Sequence, residues 1–180
     1  MSQPNRRNRA FTLIELCVAL AIAAVLFAVA LPSFARYVTE QKLLAEARRL
    51  SEAIAVARSE AIKRNTHVVV CAKTPTQDCG TATHWHEGWV VFEDHDGNAE
   101  VDAGDVLFAH DNAAANGVTI TGNRPVARYL RFDFMGQARM INGALQMGTI
   151  TVCRSGLVGY EVVVANAGRT RIDRTPGPCP

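Results

Sequence analysis

Near the end of the chain, Gly168-Arg169-Thr170-Arg171 is followed by Arg174. In an extended segment, residues i and i+2 project to one face. Arg169 and Arg171 then present two guanidinium groups side by side, about 6–7 Å apart along the strand. That is close to the phosphate step of a nucleic-acid strand, and each guanidinium fork fits two phosphate oxygens at once. Gly168 lets the chain turn sharply before the pair. The opposing reading is a charged edge strand that discourages sheet aggregation. Arg124, Arg128, Arg131, Arg139 and Arg154 either extend this basic surface or face the acids of residues 84–111. No base-reading element is visible, so contacts at the pair would go through phosphate, ignore sequence and weaken steeply with salt.

The remaining reactive residues point to weaker chemistry. Asp94-His95-Asp96-Gly97-Asn98 and Glu100 to Asp102 alternate carboxylates around a glycine, but Gly97 comes too early for an EF-hand loop. An acidic hairpin loop is the expectation, with a calcium site as the alternative. His84 and His86 flank Trp85 without a third suitably spaced ligand, and His67 and His110 read as strand residues. No GxSxG, HExxH or P-loop is present, so no enzyme activity and no cofactor are expected. Cys71, Cys79, Cys153 and Cys179 make an even set suited to disulfides in an oxidising compartment, and no CxxC pair suggests zinc. Four cysteines allow three pairings; the reading favours Cys71–Cys79, a local loop, and Cys153–Cys179, a staple on the C-terminal tail. Cys17 is expected to be a free thiol.

Such groups need a scaffold, and the scaffold begins at Phe11–Leu31, about 21 apolar residues with Glu15 as the one charge. A helix of that length spans roughly 30 Å, the thickness of a hydrocarbon core. Arg6, Arg7 and Arg9 precede it without an acid, so the N-terminus stays cytoplasmic and the body is exported. The small residue, Ala10, sits before the apolar run rather than after it, which points to cleavage on the cytoplasmic side and an apolar segment that is kept. A carboxylate as deep as Glu15 costs about 2.5–3.5 kcal/mol on insertion scales, so a partner is expected, against a reading in which it snorkels to headgroups.

Pro32 is expected to end or kink this helix. A helical pattern resumes at once, with Leu43, Ala47, Leu50, Ile54, Ala57 and Ala61 forming one apolar stripe that runs to about Asn65. The basic residues between Arg36 and Arg64 read as its solvated face. From Asn65 the period becomes 2, with strands at 67–72, 88–92, 106–110, 118–121, 128–134, 148–153, 160–166 and 169–174. Gly- and Asn-containing turns punctuate them. One long helix followed by short strands implies an α+β domain of antiparallel sheets packed on the helix. The 180-residue chain carries a formal net charge of +2; without the three arginines of its first ten residues, 16 basic residues face 17 acidic ones. Any attraction for a polyanion must therefore be local. Residues 84–111 hold eight acids and no Lys or Arg, whereas residues 124–180 hold eight Arg against Asp133, Glu161 and Asp173.

The basic leader, the small residue, FTLIEL and the apolar run ending at Leu31-Pro32 resemble the signal of type IV pilins and type II secretion pseudopilins. The body resembles the GspH/FimT branch, carried by Cys71, Gly88-Trp89-Val90-Val91-Phe92, Asp94 to Asn98, Asp102 to Asp105 and Gly168-Arg169-Thr170-Arg171. The resemblance implies a type IV pilin fold. It divides the chain into a cleaved leader (1–10), a transmembrane helix (11–31), an amphipathic continuation (32–65) and a β-rich periplasmic head (66–180). It implies a prepilin peptidase that cuts between Ala10 and Phe11 and methylates Phe11, with Ala10 standing where Gly is usual. It also implies pairing of Glu15 with the α-amine of Phe11 on a neighbouring pilin during assembly. Competence-associated FimT pilins carry a similar GRxR tail, which implies double-stranded DNA as a partner during uptake for natural transformation, through Gly168, Arg169, Arg171 and Arg174. The expected place is the inner membrane, with incorporation into a pilus among major and minor pilins. The alternative is a GspH-like pseudopilin of a type II secretion system without DNA binding.

Overall fold

The computed structural model describes residues 13–74, 79 and 83–180. Ala10 and Phe11, the expected cleavage pair, lie outside the described residues. Among the described residues, one long helix, α1 (Leu13–Arg64), precedes eight strands, with two short 3-10 turns among them. Pro32 lies inside α1 and does not end it. A proline removes one N–H donor, and the neighbouring turns keep theirs. At the C-terminal end, Asn65 adopts φ 56° and the Thr66 N–H bonds the Ala61 carbonyl at 3.2 Å. This is a Schellman closure, in which a left-handed residue lets the chain turn while satisfying an orphan carbonyl.

The chain forms two compact units, one through Thr39 and one from Glu40 onward. In the first, apolar side chains such as Leu13, Phe27 and Leu31 are exposed. Among the described residues, α1 is the one helix long and apolar enough to cross a membrane. Glu15 lies in its first turn and Cys17 is an exposed free thiol.

In the second unit, Leu43, Ala47, Leu50, Ile54, Ala57 and Ala61 are all fully buried, so the 3.6-residue stripe is the face that meets the sheets. One sheet has the order β3-β2-β1-β5 and the other β4-β6-β7-β8, with every neighbouring pair antiparallel. Their ranges are β1 Val68–Ala72, β2 Trp89–Glu93, β3 Val106–His110, β4 Thr119–Gly122, β5 Tyr129–Phe132, β6 Gly148–Cys153, β7 Val158–Val164 and β8 Thr170–Pro178. Alternation assigns the faces: Ile150, Val152, Tyr160, Val162 and Val164 turn inward onto the helix stripe in one core, which also takes Val68, Val70, Trp89 and Val91.

The central strands of the first sheet, β1 and β2, are buried on both faces. Val69, Cys71, Val90 and Phe92 point away from the helix into a second, smaller cluster, covered by Cys79, Ala99 and Val101. Cys71 is bonded to Cys79 there, and Cys153 is bonded to Cys179 at the far end of the second sheet. Two buried polar side chains fasten the loops. The Trp85 indole N–H donates to the carbonyls of Val126 and Ala127, both at 3.1 Å. Gln146, fully buried, donates to the carbonyls of Pro125 and Tyr129 at 2.7 and 2.9 Å and accepts from the Arg131 N–H at 3.0 Å.

The helix arginines correct the expectation of a plain solvated face. Arg49 pairs with Glu46 and Asp111 and lies over the Trp89 ring, 4.8 Å from its centroid. Arg58 donates to the Gly136 carbonyl at 2.9 Å, and Arg64 pairs with Glu60 and covers the Phe108 ring at 4.4 Å. Arg49 and Arg58 tie loops to the helix, and Arg64 ties the helix end to the first sheet through Glu93 and Phe108.

Candidate nucleic-acid interface

The hairpin of β7 and β8 carries the arginine pair at its tip. Gly168 adopts φ 72°, and its N–H donates to the Ala165 carbonyl at 2.8 Å to close the turn. It is also buried: a Cβ there would collide with the Gly136 carbonyl oxygen and come within 2.9 Å of Arg58 Cδ and of the Phe132 ring. Glycine is thus required twice, by backbone conformation and by space. The tip is held further by the Ala138 N–H, which donates to the Asn166 carbonyl at 3.0 Å.

Beyond the turn, the Ala165 N–H bonds the Arg169 carbonyl at 2.9 Å, which continues the ladder one residue ahead of β8. Register then pairs Arg171 with Val163 and Asp173 with Glu161. Arg169, Arg171 and Asp173 therefore share the outer face. Arg169 and Arg171 are exposed, and the Arg171 Nε donates to Asp173 Oδ2 at 2.7 Å. The Arg169 side chain makes no hydrogen bond or ion pair among the described residues.

Arg174 falls on the opposite face. There Thr170 shares a 2.7 Å hydrogen bond with Ser51 of α1, Ile172 packs against the core, and the Arg174 guanidinium lies 5.9 Å from the centroid of the Tyr160 ring. The four residues expected to act together are thus divided. Gly168 shapes the turn, Arg169 and Arg171 face out, and Arg174 faces toward α1. The Cys153–Cys179 bond and a hydrogen bond from the Cys179 N–H to the Leu157 carbonyl at 2.8 Å tie down the end of β8.

Two of the five supporting arginines are used internally. Arg131, nearly buried, pairs with Asp94 at 3.3 Å, across the first sheet from the acidic segment. Arg139 donates to Asp133, Gln137 and Gly143. Arg124, Arg128 and Arg154 are exposed.

The acidic loop is organised by its own side chains. Asp94 Oδ1 accepts from the N–H groups of Gly97 and Ala99 at 3.0 and 3.3 Å, and Asp105 accepts from those of His95 and Asp102. Asn98 donates to both Asp96 and Asp102. Burial pushes the Asp94 carboxyl above the usual carboxylate range, against the opposing pull of the Ala99 N–H and the Arg131 guanidinium. Burial, assisted by Arg131, pushes the neighbouring His67 down. His84 and His86 lie 5.2 Å apart between ring centroids, and the Ile120 N–H points at His86 Nδ1 at 3.5 Å. Among the described residues, no group of three or more His, Cys, Asp or Glu is placed to hold a metal ion.

Comparison with known proteins locates the chain in sequence space. The family profile of type II transport protein GspH matches residues 46–168, and that of the prokaryotic N-terminal methylation motif matches residues 5–31. Two crystal structures of the type IV minor pilin FimU from Pseudomonas aeruginosa strain PAO1 share the fold. In one crystal form the TM-score is 0.59 at 17% identity, over 76% of this chain and 92% of that one. In the other it is 0.50 at 18% identity, over 72% and 91%. No curated protein matches the sequence. The GspH match stops at Gly168, so the arginine pair lies just beyond what the family profile describes.

Proposed function

The chain belongs to the GspH family, with the fold of a type IV minor pilin, and from that premise we propose that it is a pilus subunit that holds double-stranded DNA. The reading divides the chain into a leader (1–10), a transmembrane segment (11–31), its continuation (32–65) and a periplasmic head. The leader is removed between Ala10 and Phe11, and Phe11 is methylated. The anchor sits in the inner membrane until the subunit is drawn into a filament with major and minor pilins. DNA is gripped at the outer face of the β7–β8 hairpin during uptake for natural transformation.

One observation carries the DNA reading: Arg169 and Arg171 stand exposed on one face of a rigidly anchored hairpin tip, at a spacing that suits successive phosphates. The anchoring of Gly168 and the Cys153–Cys179 bond reduce the ordering cost of binding. Contact through phosphate alone is weak for one subunit, and several subunits in a fibre add avidity.

The test is a titration of the full-length protein in detergent with labelled duplex DNA at several salt concentrations. Binding should be independent of sequence. Replacing Arg169 and Arg171 together with Gln should abolish retardation at low salt without changing the melting of the head. Equal binding by the double variant removes the hairpin from the site. The GspH match favours a second reading, a type II secretion pseudopilin; wild-type protein that binds no DNA at low salt would favour it.

A further inference from the structure

We propose that the phosphate-binding surface wraps the free edge of β8, and that Arg48 of α1 forms part of it with Arg174. This rests on the DNA reading above and adds a second face to it. β8 is the outermost strand of its sheet. Alternation sends Arg169 and Arg171 to one side of that edge and Arg174 to the other. On the second side, β8 and α1 border an open groove of about 450 Å³ whose lining includes Arg48, Ser51, Tyr160, Thr170 and Arg174 and reaches round the strand edge to Arg171 and Asp173.

The groove is built to receive an anion. Arg48 and Arg174 are exposed, and neither makes an ion pair among the described residues. They come from opposite walls, one from the helix and one from the strand. Two guanidinium groups without ion-pair partners border one groove, and phosphates entering it would give each a counter-charge. Asp173 is the one acid lining the groove among the described residues, and it is already engaged by Arg171. The Ser51–Thr170 hydrogen bond at 2.7 Å couples the two walls, so the arginines stand on a preorganised frame. Tyr160 supports the Arg174 guanidinium from below its plane at 5.9 Å. A phosphodiester, with two non-bridging oxygens for two forks, fits this chemistry. A duplex lying along the edge of β8 meets guanidinium groups on both sides of the strand.

The experiment uses the full-length protein in detergent and fluorescence anisotropy of a labelled duplex from 50 to 200 mM salt. Arg48→Gln and Arg174→Gln should each weaken binding severalfold. Each should also reduce the slope of log affinity against log salt by about 0.9, the signature of one lost phosphate contact, with thermal melting unchanged. Arg48→Lys should keep most of the slope, because the charge remains. If both Gln variants bind with wild-type affinity and slope while the Arg169/Arg171 variant does not bind, this inference fails and the hairpin reading stands. If wild-type protein binds no DNA, both fail. Should Arg48→Gln weaken attachment to phosphatidylglycerol vesicles yet leave DNA binding intact, the groove serves a lipid headgroup and the inference is overturned.

Discussion

Arg171 reaches solvent with its fork already occupied by Asp173, two residues along the same face, at 2.7 Å. Exposed ion pairs of this kind contribute about 0–1 kcal/mol, so a phosphate can displace the carboxylate, but the carboxylate repels it on approach. Asp173→Asn should therefore tighten DNA binding by up to about fivefold at low salt. Anisotropy titration checks this, and weaker binding would mean that Asp173 instead orients the fork. Gly168→Ala acts differently: a positive φ and a clash with the Gly136 carbonyl should destabilise the head by about 1–3 kcal/mol in urea melts. At this scale the arginine pair was legible because i and i+2 spacing on an edge strand leaves both side chains in water. For Arg131 the sequence left two readings open, and its pairing with Asp94 is the one in which it faces an acid of residues 84–111. Its face of the first sheet is roofed by the 94–105 loop, so pointing away from the helix does not mean pointing to solvent. Gln146 carried no local signal, because its three partners sit on carbonyls and an N–H far from it in sequence.

The helix and the strands were readable from period alone, since a change from 3.6 to 2 is a change in which side chains can share a face. The stripe from Leu43 to Ala61 is buried throughout, and Ile54→Ala at its centre should cost about 2–5 kcal/mol in chemical denaturation. The partition into two four-stranded sheets was not readable. β5 pairs with β1, about sixty residues earlier, rather than with β4 or β6, and no turn signal encodes so distant a partner. That pairing creates a titratable junction, where His67 precedes β1 among Asp94, Arg131 and Asp133. Burial and Arg131 lower the His67 pKa below 6.5 in the folded state, while the two carboxylates pull the other way. The unfolded chain then binds the extra proton first. Stability from this group is complete above about 6.5 and falls as the pH drops toward the lowered folded value. Asp94, raised above 3.8, contributes the opposite trend at lower pH. The urea midpoint should be lower at pH 5.5 than at 7.5, and His67→Gln should flatten that difference; an unchanged difference would place its origin elsewhere.

Over the whole molecule, charge is separated along the sequence and then partly recombined by folding. Arg131 meets Asp94, and Arg139 meets Asp133, so part of the basic last third neutralises acids inside the head. Without the three arginines of the first ten residues, 16 basic residues face 17 acidic ones, so the proposed attraction for DNA cannot come from net charge. Under the proposed reading it would come from guanidinium forks at one edge, presented many times by a fibre. Fibre membership in turn depends on the apolar segment and its one acid. In the proposed subunit, a charge within the span costs about 2.5–3.5 kcal/mol, and contact between Glu15 and the α-amine freed on Phe11 of the next subunit would offset that cost while fixing the axial register. On that reading, cleavage would create the amine, and processing and assembly would be coupled through one ion pair. Glu15→Ala should therefore leave the protein membrane-bound, cut before Phe11, folded and able to bind DNA in detergent. The same variant should vanish from filaments sheared off the cell, measured by immunoblot of the sheared fraction. Wild-type amounts of Glu15→Ala in that fraction would show that subunits find their register without the pair, and the reason for an acid in the span would have to lie elsewhere.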